Sequence, residues 1–97
     1  MHEINNHLYR LRRIRGYSQK TLAALGCCSV KAISDFERGT RLPPLRVAML
    51  LEIVLGTKVS EIYVELYREL GLAAVNREDR LPSRFTRHIR GRVLGKD

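Results

Sequence analysis

SQKTLAALGCCSVKAISDFERG, residues 18–39, is the stretch that decides how this chain folds. Counted from Gln19, apolar residues fall at Leu22, Ile33 and Phe36, where two short helices would be clamped together, and Ala23 is small enough for a close helix crossing. Ser18 and Ser29 stand where hydroxyl N-caps belong, so the spacing predicts one helix over about 19–25 and a second that Ser29 opens and Gly39 ends. Ser29, Val30, Lys31 and Ser34 then share the start and one outward edge of the second helix. That is the part of a helix that meets base edges when it lies in a DNA major groove.

Working outward, Leu8, Leu11, Arg12, Gly16, Ser18, Gln19, Leu22, Ala23, Ser29, Ile33, Ser34, Phe36, Glu37, Gly39 and Pro43 follow one pattern without a gap. It reads L-x-x-L-R-x-x-x-G-x-[ST]-Q-x-x-L-A, a turn, S-x-x-x-I-S-x-[IF]-E-x-G and a proline-initiated helix. In this register the chain resembles the Cro and phage-repressor (Xre-type) helix-turn-helix family. LGTKVSEIY at 55–63 is similar to that family's last helix junction, so the likeness covers about two thirds of the chain. No single position is diagnostic; the joint register carries the weight. The resemblance implies an all-α, five-helix lambda-repressor-like DNA-binding domain over 1–71, followed by a basic C-terminal extension over 72–97.

One departure stands out. The family places an apolar residue and then glycine in the turn, where a positive φ is wanted. Here Gly26 is followed by Cys27. Either Cys27 accepts a conformation that glycine adopts far more readily, or the turn shifts by one residue around Gly26.

The flanking segments read as helices too. Residues 3–15 place Ile4, Leu8, Leu11 and Ile14 or Arg15 about one turn apart, and Gly16 follows at a left-handed C-cap position. Pro43 and Pro44 introduce a fourth helix over 45–55, apolar nearly all round and so expected to be buried on more than one side, with some apolar surface left for a partner subunit. Thr57 or Ser60 would cap a fifth, running to about Leu70 before Gly71. Its stripes, Ile62, Leu66 and Leu70 beside Tyr63 and Tyr67, exceed what one small core needs. In the Arg-rich tail, Phe85, His88, Ile89, Val93 and Leu94 suggest a short sixth helix, weakened by Gly91; the alternative is a solvated, flexible tail.

With 18 Lys and Arg against 10 Asp and Glu, the formal charge is +8. It is uneven: +5 over residues 1–41, −1 over 42–70 and +4 over 71–97. A polyanionic partner suits this distribution, with the charge concentrated on the proposed reading half and the tail. No apolar h-region opens the chain and no run reaches the ~18 residues of a membrane span, so a cytoplasmic, soluble protein with no membrane partner is expected. Cys27 and Cys28 are adjacent, where a bridge would be strained, and His2, His7 and His88 are too scattered for a zinc site. Small apolar packing is the plain reading of the cysteines; a redox-sensitive thiol at the turn is the other. No nucleophile–base pair, paired carboxylates or phosphate loop appears, so neither catalysis nor a cofactor is expected.

Outward position, charge and, for Gln19, Thr40, Arg41, Arg12 and Glu37, the resemblance assign roles to residues. Ser29, Val30, Lys31 and Ser34 would read bases; Gln19, Lys20, Arg38, Thr40 and Arg41 would hold phosphates; Arg12 and Glu37 would form an internal ion pair. Asp35 is awkward beside phosphate, so it either adds specificity or points away. From their two apolar stripes, Tyr63, Leu66, Tyr67 and Leu70 would build most of a two-fold dimer interface, helped by residues of the tail; the alternative is that the Arg-rich tail folds back and covers the stripes within one chain. The expected function is a sequence-specific transcriptional regulator, a homodimeric repressor on a near-palindromic operator in double-stranded DNA, of the kind carried by mobile elements. The alternative is a protein-interaction regulator, an antitoxin or antiactivator with a second protein partner.

Overall fold

A computed structural model describes residues 3–95. Among them are seven helices and no strand: α1 (Leu8–Arg15), α2 (Gln19–Leu25), α3 (Val30–Arg38), α4 (Leu45–Leu55), α5 (Val59–Ile62), α6 (Val64–Asp79) and α7 (Ile89–Leu94). They divide into two compact units, one ending at Val64 and one starting at Glu65.

In the first unit, Leu8, Leu22, Ile33, Phe36, Leu51, Leu55 and Ile62 are fully buried, with Ala23 and Ala32 between them. Each large member removed from water contributes about 1.5–3 kcal/mol. The two alanines permit close approach of α2 and α3. Helix α4 is the hub: it packs on α1, α2 and α5. Its burial is one-sided, however. Leu51 and Leu55 point inward, while Leu45, Met49 and Ile53, spaced four apart, form an exposed apolar line at 72%, 56% and 74% accessibility. This corrects the expectation of burial on more than one side.

The N-terminal part of the first helix is also corrected. Helix α1 begins at Leu8 and not at Glu3, because the backbone before it bonds to distant segments. Ile4 N–H donates to the Gly39 carbonyl at 2.9 Å, and His7 N–H donates to that of Ile62 at 2.9 Å. Asn6 makes the junction: its Oδ1 accepts from Leu8 N–H at 2.9 Å, and its amide donates to the carbonyls of Ile4 (3.0 Å) and Phe36 (3.1 Å). Asparagine side chains compete in this way with helical backbone bonds. The inward face of α1 is Leu8, Leu11 and Arg12, whereas Ile14 is 66% exposed. Arg15 turns instead to the end of α4, donating from Nε to the Leu55 carbonyl at 2.9 Å.

The single fifth helix expected over 57–70 is two helices. Glu52 on α4 accepts the Val59 N–H at 2.9 Å and so fastens the start of α5. The chain then leaves helical geometry at Tyr63, with φ −114° and ψ 51°. Ile62 and Tyr63 are both buried. A straight helix would turn such neighbours about 100° apart, and the break accommodates both.

In the second unit, α6 runs through Gly71 to Asp79, so Gly71 does not terminate it. Its missing side chain makes room for Val93: a Cβ there would lie 2.8 Å from Val93 Cγ1. Glu78, itself buried, accepts the backbone N–H groups of His88 and Ile89 at 3.0 Å each and caps α7. Asp79 pairs with Arg90 at 2.5 Å, and Arg87 donates to the Leu81 carbonyl at 2.6 Å. The basic tail is thus folded back on α6, with its short helix starting at Ile89.

Candidate nucleic-acid interface

Helices α2 and α3 are each opened by a serine cap. Ser18 Oγ accepts the Thr21 N–H at 3.0 Å and opens α2; Ser29 Oγ accepts the Ala32 N–H at 3.0 Å and opens α3. Between them the open question of the turn is answered. Cys27 adopts φ +55°, whereas Gly26 has an ordinary φ of −89°. Glycine at 26 serves proximity: a Cβ would sit 3.2 Å from the Leu22 carbonyl oxygen and 3.6 Å from Leu51 Cδ2. Cys27 is therefore exposed at the bend in a left-handed conformation, and both cysteines are free thiols. Burial pushes the Cys28 thiol pKa up, against the opposing influence of Arg41.

One carboxylate holds the three helices together. Glu37 Oε2 accepts Arg12 Nε at 2.5 Å, while its Oε1 accepts Arg12 Nη2 at 3.3 Å and the Gln19 amide at 3.0 Å. Arg12 Nη1 also donates to the Tyr17 carbonyl at 3.0 Å. The paired side chains are only 8% and 6% exposed. Gln19 is therefore engaged inside the unit and half-buried. Arg12, Arg13, Gly16, Tyr17 and Ser18 line an open hollow beside the start of α2.

On the outer edge of α3, Ser29 and Val30 are exposed and Ser34 is half-buried. The Lys31 side chain is 81% exposed and reaches Asp35 Oδ2 at 3.3 Å. Asp35 also bonds Arg38 and lies 3.8 Å from Arg41 Nη1. Burial would raise the Asp35 pKa, but hydrogen bonds and charge from Lys31 and Arg38 outweigh it and hold the carboxyl below its ordinary value. Arg41 lies over the Phe36 ring, 5.3 Å from its centroid. Thr40 follows the left-handed Gly39 and bonds the Asp35 carbonyl through its N–H (3.1 Å) and hydroxyl (3.3 Å). Lys20 is exposed on α2. Sequence reasoning missed the gathering of three cations on Asp35, although the i,i+4 and i,i+3 spacings to Lys31 and Arg38 signalled it.

A helix-turn-helix family model matches residues 8–62, from the first residue of α1 to the last of α5. The chain belongs to the Cro/phage-repressor (Xre-type) helix-turn-helix family. This is a family of DNA-binding transcription regulators. Neither a curated protein nor a solved structure matches the chain. The helix-turn-helix proper is α2–turn–α3, with α3 as its second helix.

Residues expected at a dimer seam lie in differing surroundings. Tyr63 is 5% exposed, its hydroxyl has no hydrogen-bond partner among the described residues, and desolvation pushes its pKa up to about 12. Leu66 is half-buried, whereas Tyr67 and Leu70 are 60% and 57% exposed. Among the described residues no His, Cys, Asp and Glu group is arranged to hold a metal, and no helix is long and apolar enough to cross a membrane.

Proposed function

We propose that this protein is a sequence-specific repressor that binds a near-palindromic operator as a homodimer. In this reading α3 lies in the major groove. Ser29, Val30, Lys31 and Ser34 meet base edges, and Gln19, Lys20, Arg38, Thr40 and Arg41 meet phosphates. The observation that carries it is the exposed edge of α3 with the loop after it: Lys31 and Arg38 stand out from the helix and Arg41 from the loop, and the Ser29 hydroxyl caps the helix start. Lysine suits guanine O6/N7, and the Val30 side chain suits a thymine methyl. The dimer would use Tyr67 and Leu70 with Leu66 at its margin, and two copies would present two recognition helices one DNA turn apart.

Selection of bound sites from random duplex DNA tests this. A two-fold motif with half-sites about 10 bp apart, bound with a steep salt dependence of about −0.9 per phosphate contacted, is the expected outcome. Arg41→Ala should then weaken all sequences alike, and Lys31→Ala should relax one base pair per half-site. Absence of any enriched motif, with a flat salt response, would refute the proposal. The exposed apolar line Leu45, Met49 and Ile53 favours one second reading, a regulator that acts on another protein as an antitoxin or antiactivator; co-purification of a stoichiometric partner would support it.

A further inference from the structure

Asp35 sits where a DNA-binding surface has least use for a negative charge. Its side chain is 11% exposed, yet three cations converge on it: Lys31 at 3.3 Å, Arg38 in direct contact and Arg41 at 3.8 Å. The three are not held alike. Arg41 is also stacked on Phe36, and Arg38 closes a short i,i+3 contact at the end of α3. Lys31 has only the long i,i+4 bond, in the less favourable order with the cation nearer the helix start, and its side chain is otherwise in solvent.

We propose that Asp35 is a positioning residue for specificity: its carboxylate draws Lys31 off the phosphates and commits it to a base edge. The inference rests on the DNA-reading assignment of α3. On random duplex the carboxylate repels phosphate and keeps Lys31 occupied, so non-specific binding is held down. On the operator a guanine edge supplies two acceptors that replace the single bond to Asp35. Arg38 and Arg41 stay anchored and set register on the backbone. Asp35 thus widens the gap between right and wrong sequences without itself touching DNA.

The test compares Asp35→Asn, Lys31→Ala and the double variant with the unmodified protein on its selected site and on random duplex, across a salt series. Asn keeps the shape and an acceptor but removes the charge. The expected result for Asp35→Asn is tighter binding to random duplex, a salt slope there steeper by about one contact, and a specific-over-random ratio reduced about tenfold. Lys31→Ala should lower the ratio similarly while leaving the random-duplex slope unchanged, and the double variant should return that slope to its starting value. Weaker random binding by folded Asp35→Asn, or a random-duplex slope that Lys31→Ala makes shallower by about one, overturns the inference. The second arm decides even if Asp35→Asn does not fold. If the unmodified protein binds no DNA, the functional reading itself falls, a result distinct from either.

Discussion

Removing the guanidinium of Arg12 tests the centre of the fold. In Arg12→Ala, Glu37 loses two of its three hydrogen bonds, keeping only the one from Gln19 at 3.0 Å, and the Tyr17 carbonyl loses its donor. Because the Glu37 side chain is 6% exposed, the change leaves a carboxylate with one hydrogen bond in a largely desolvated place. Breaking a buried pair from one side costs about 3–5 kcal/mol, against roughly 5–15 kcal/mol in total for a domain of this size. At about 4–8 °C per kcal/mol, the melting temperature should fall by at least ~12 °C. Arg13→Ala, on the exposed side of α1, should shift it by a few degrees at most. The double change Arg12→Met with Glu37→Met should recover most of the loss, since replacing both charges removes the stranded carboxylate. Thermal melts followed by circular dichroism read all three. Equal midpoints for Arg12→Ala and Arg13→Ala would refute the reasoning, because the carboxylate could then be solvated without unfolding.

Gly39→Ala combines a φ of +79° with a Cβ placed 2.6 Å from Ile4 N and 2.8 Å from Ile4 C; a loss of about 3 kcal/mol or more is expected in denaturant melts, from strain and clash together. Cys27→Gly should act the other way, relieving a left-handed conformation at φ +55° and raising stability by ~0.5–1 kcal/mol after the extra chain entropy of glycine; an unchanged or lower melting temperature would count against it. Burial would raise the Glu78 pKa, but bonds from the backbone N–H groups of His88, Ile89 and Arg90 depress it below the ordinary 4.5. Its contribution is therefore complete above that value and lost as pH falls through the lower folded value. Amide chemical shifts of His88 and Ile89 should stay native down to pH 4.5, and their loss at higher pH would be contrary. Tyr67→Glu with Leu70→Glu should give a folded monomer with weakened operator binding in sedimentation and DNA titrations; a persistent dimer would place the seam elsewhere.

Much of the helix-turn-helix was legible because its determinants are local. Ser18, Ser29 and Gly39 mark helix ends within a turn of the residues they cap, and Leu22, Ile33 and Phe36 mark the inward face by spacing alone. Pro44 and Gly56 bounded α4 in the same way. Illegible features depended on partners far along the chain. The start of α1 was set by carbonyls of Phe36, Gly39 and Ile62, and periodicity holds no trace of them. Gly71 looked like a stop signal because a contact glycine and a terminating one are written with the same letter; only Val93 distinguishes them. At the interface, the spacing of Lys31, Asp35 and Arg38 was visible, but the convergence of Arg41 on the same carboxylate required the loop after α3 to be placed.

The stitching of residues 4–7 to Phe36, Gly39 and Ile62 has a kinetic consequence. These bonds close loops that span much of the first unit, so the chain entropy of closure must be overcome before they form. Helices α2, α3 and α4 are sequence neighbours, with α3 and α4 both packed on α2, and can meet early. The non-helical lead into α1 has nothing to bind until α3 has ended and α5 has been placed. It should therefore lock last, and substitutions at Asn6 should speed unfolding while leaving the refolding rate nearly unchanged.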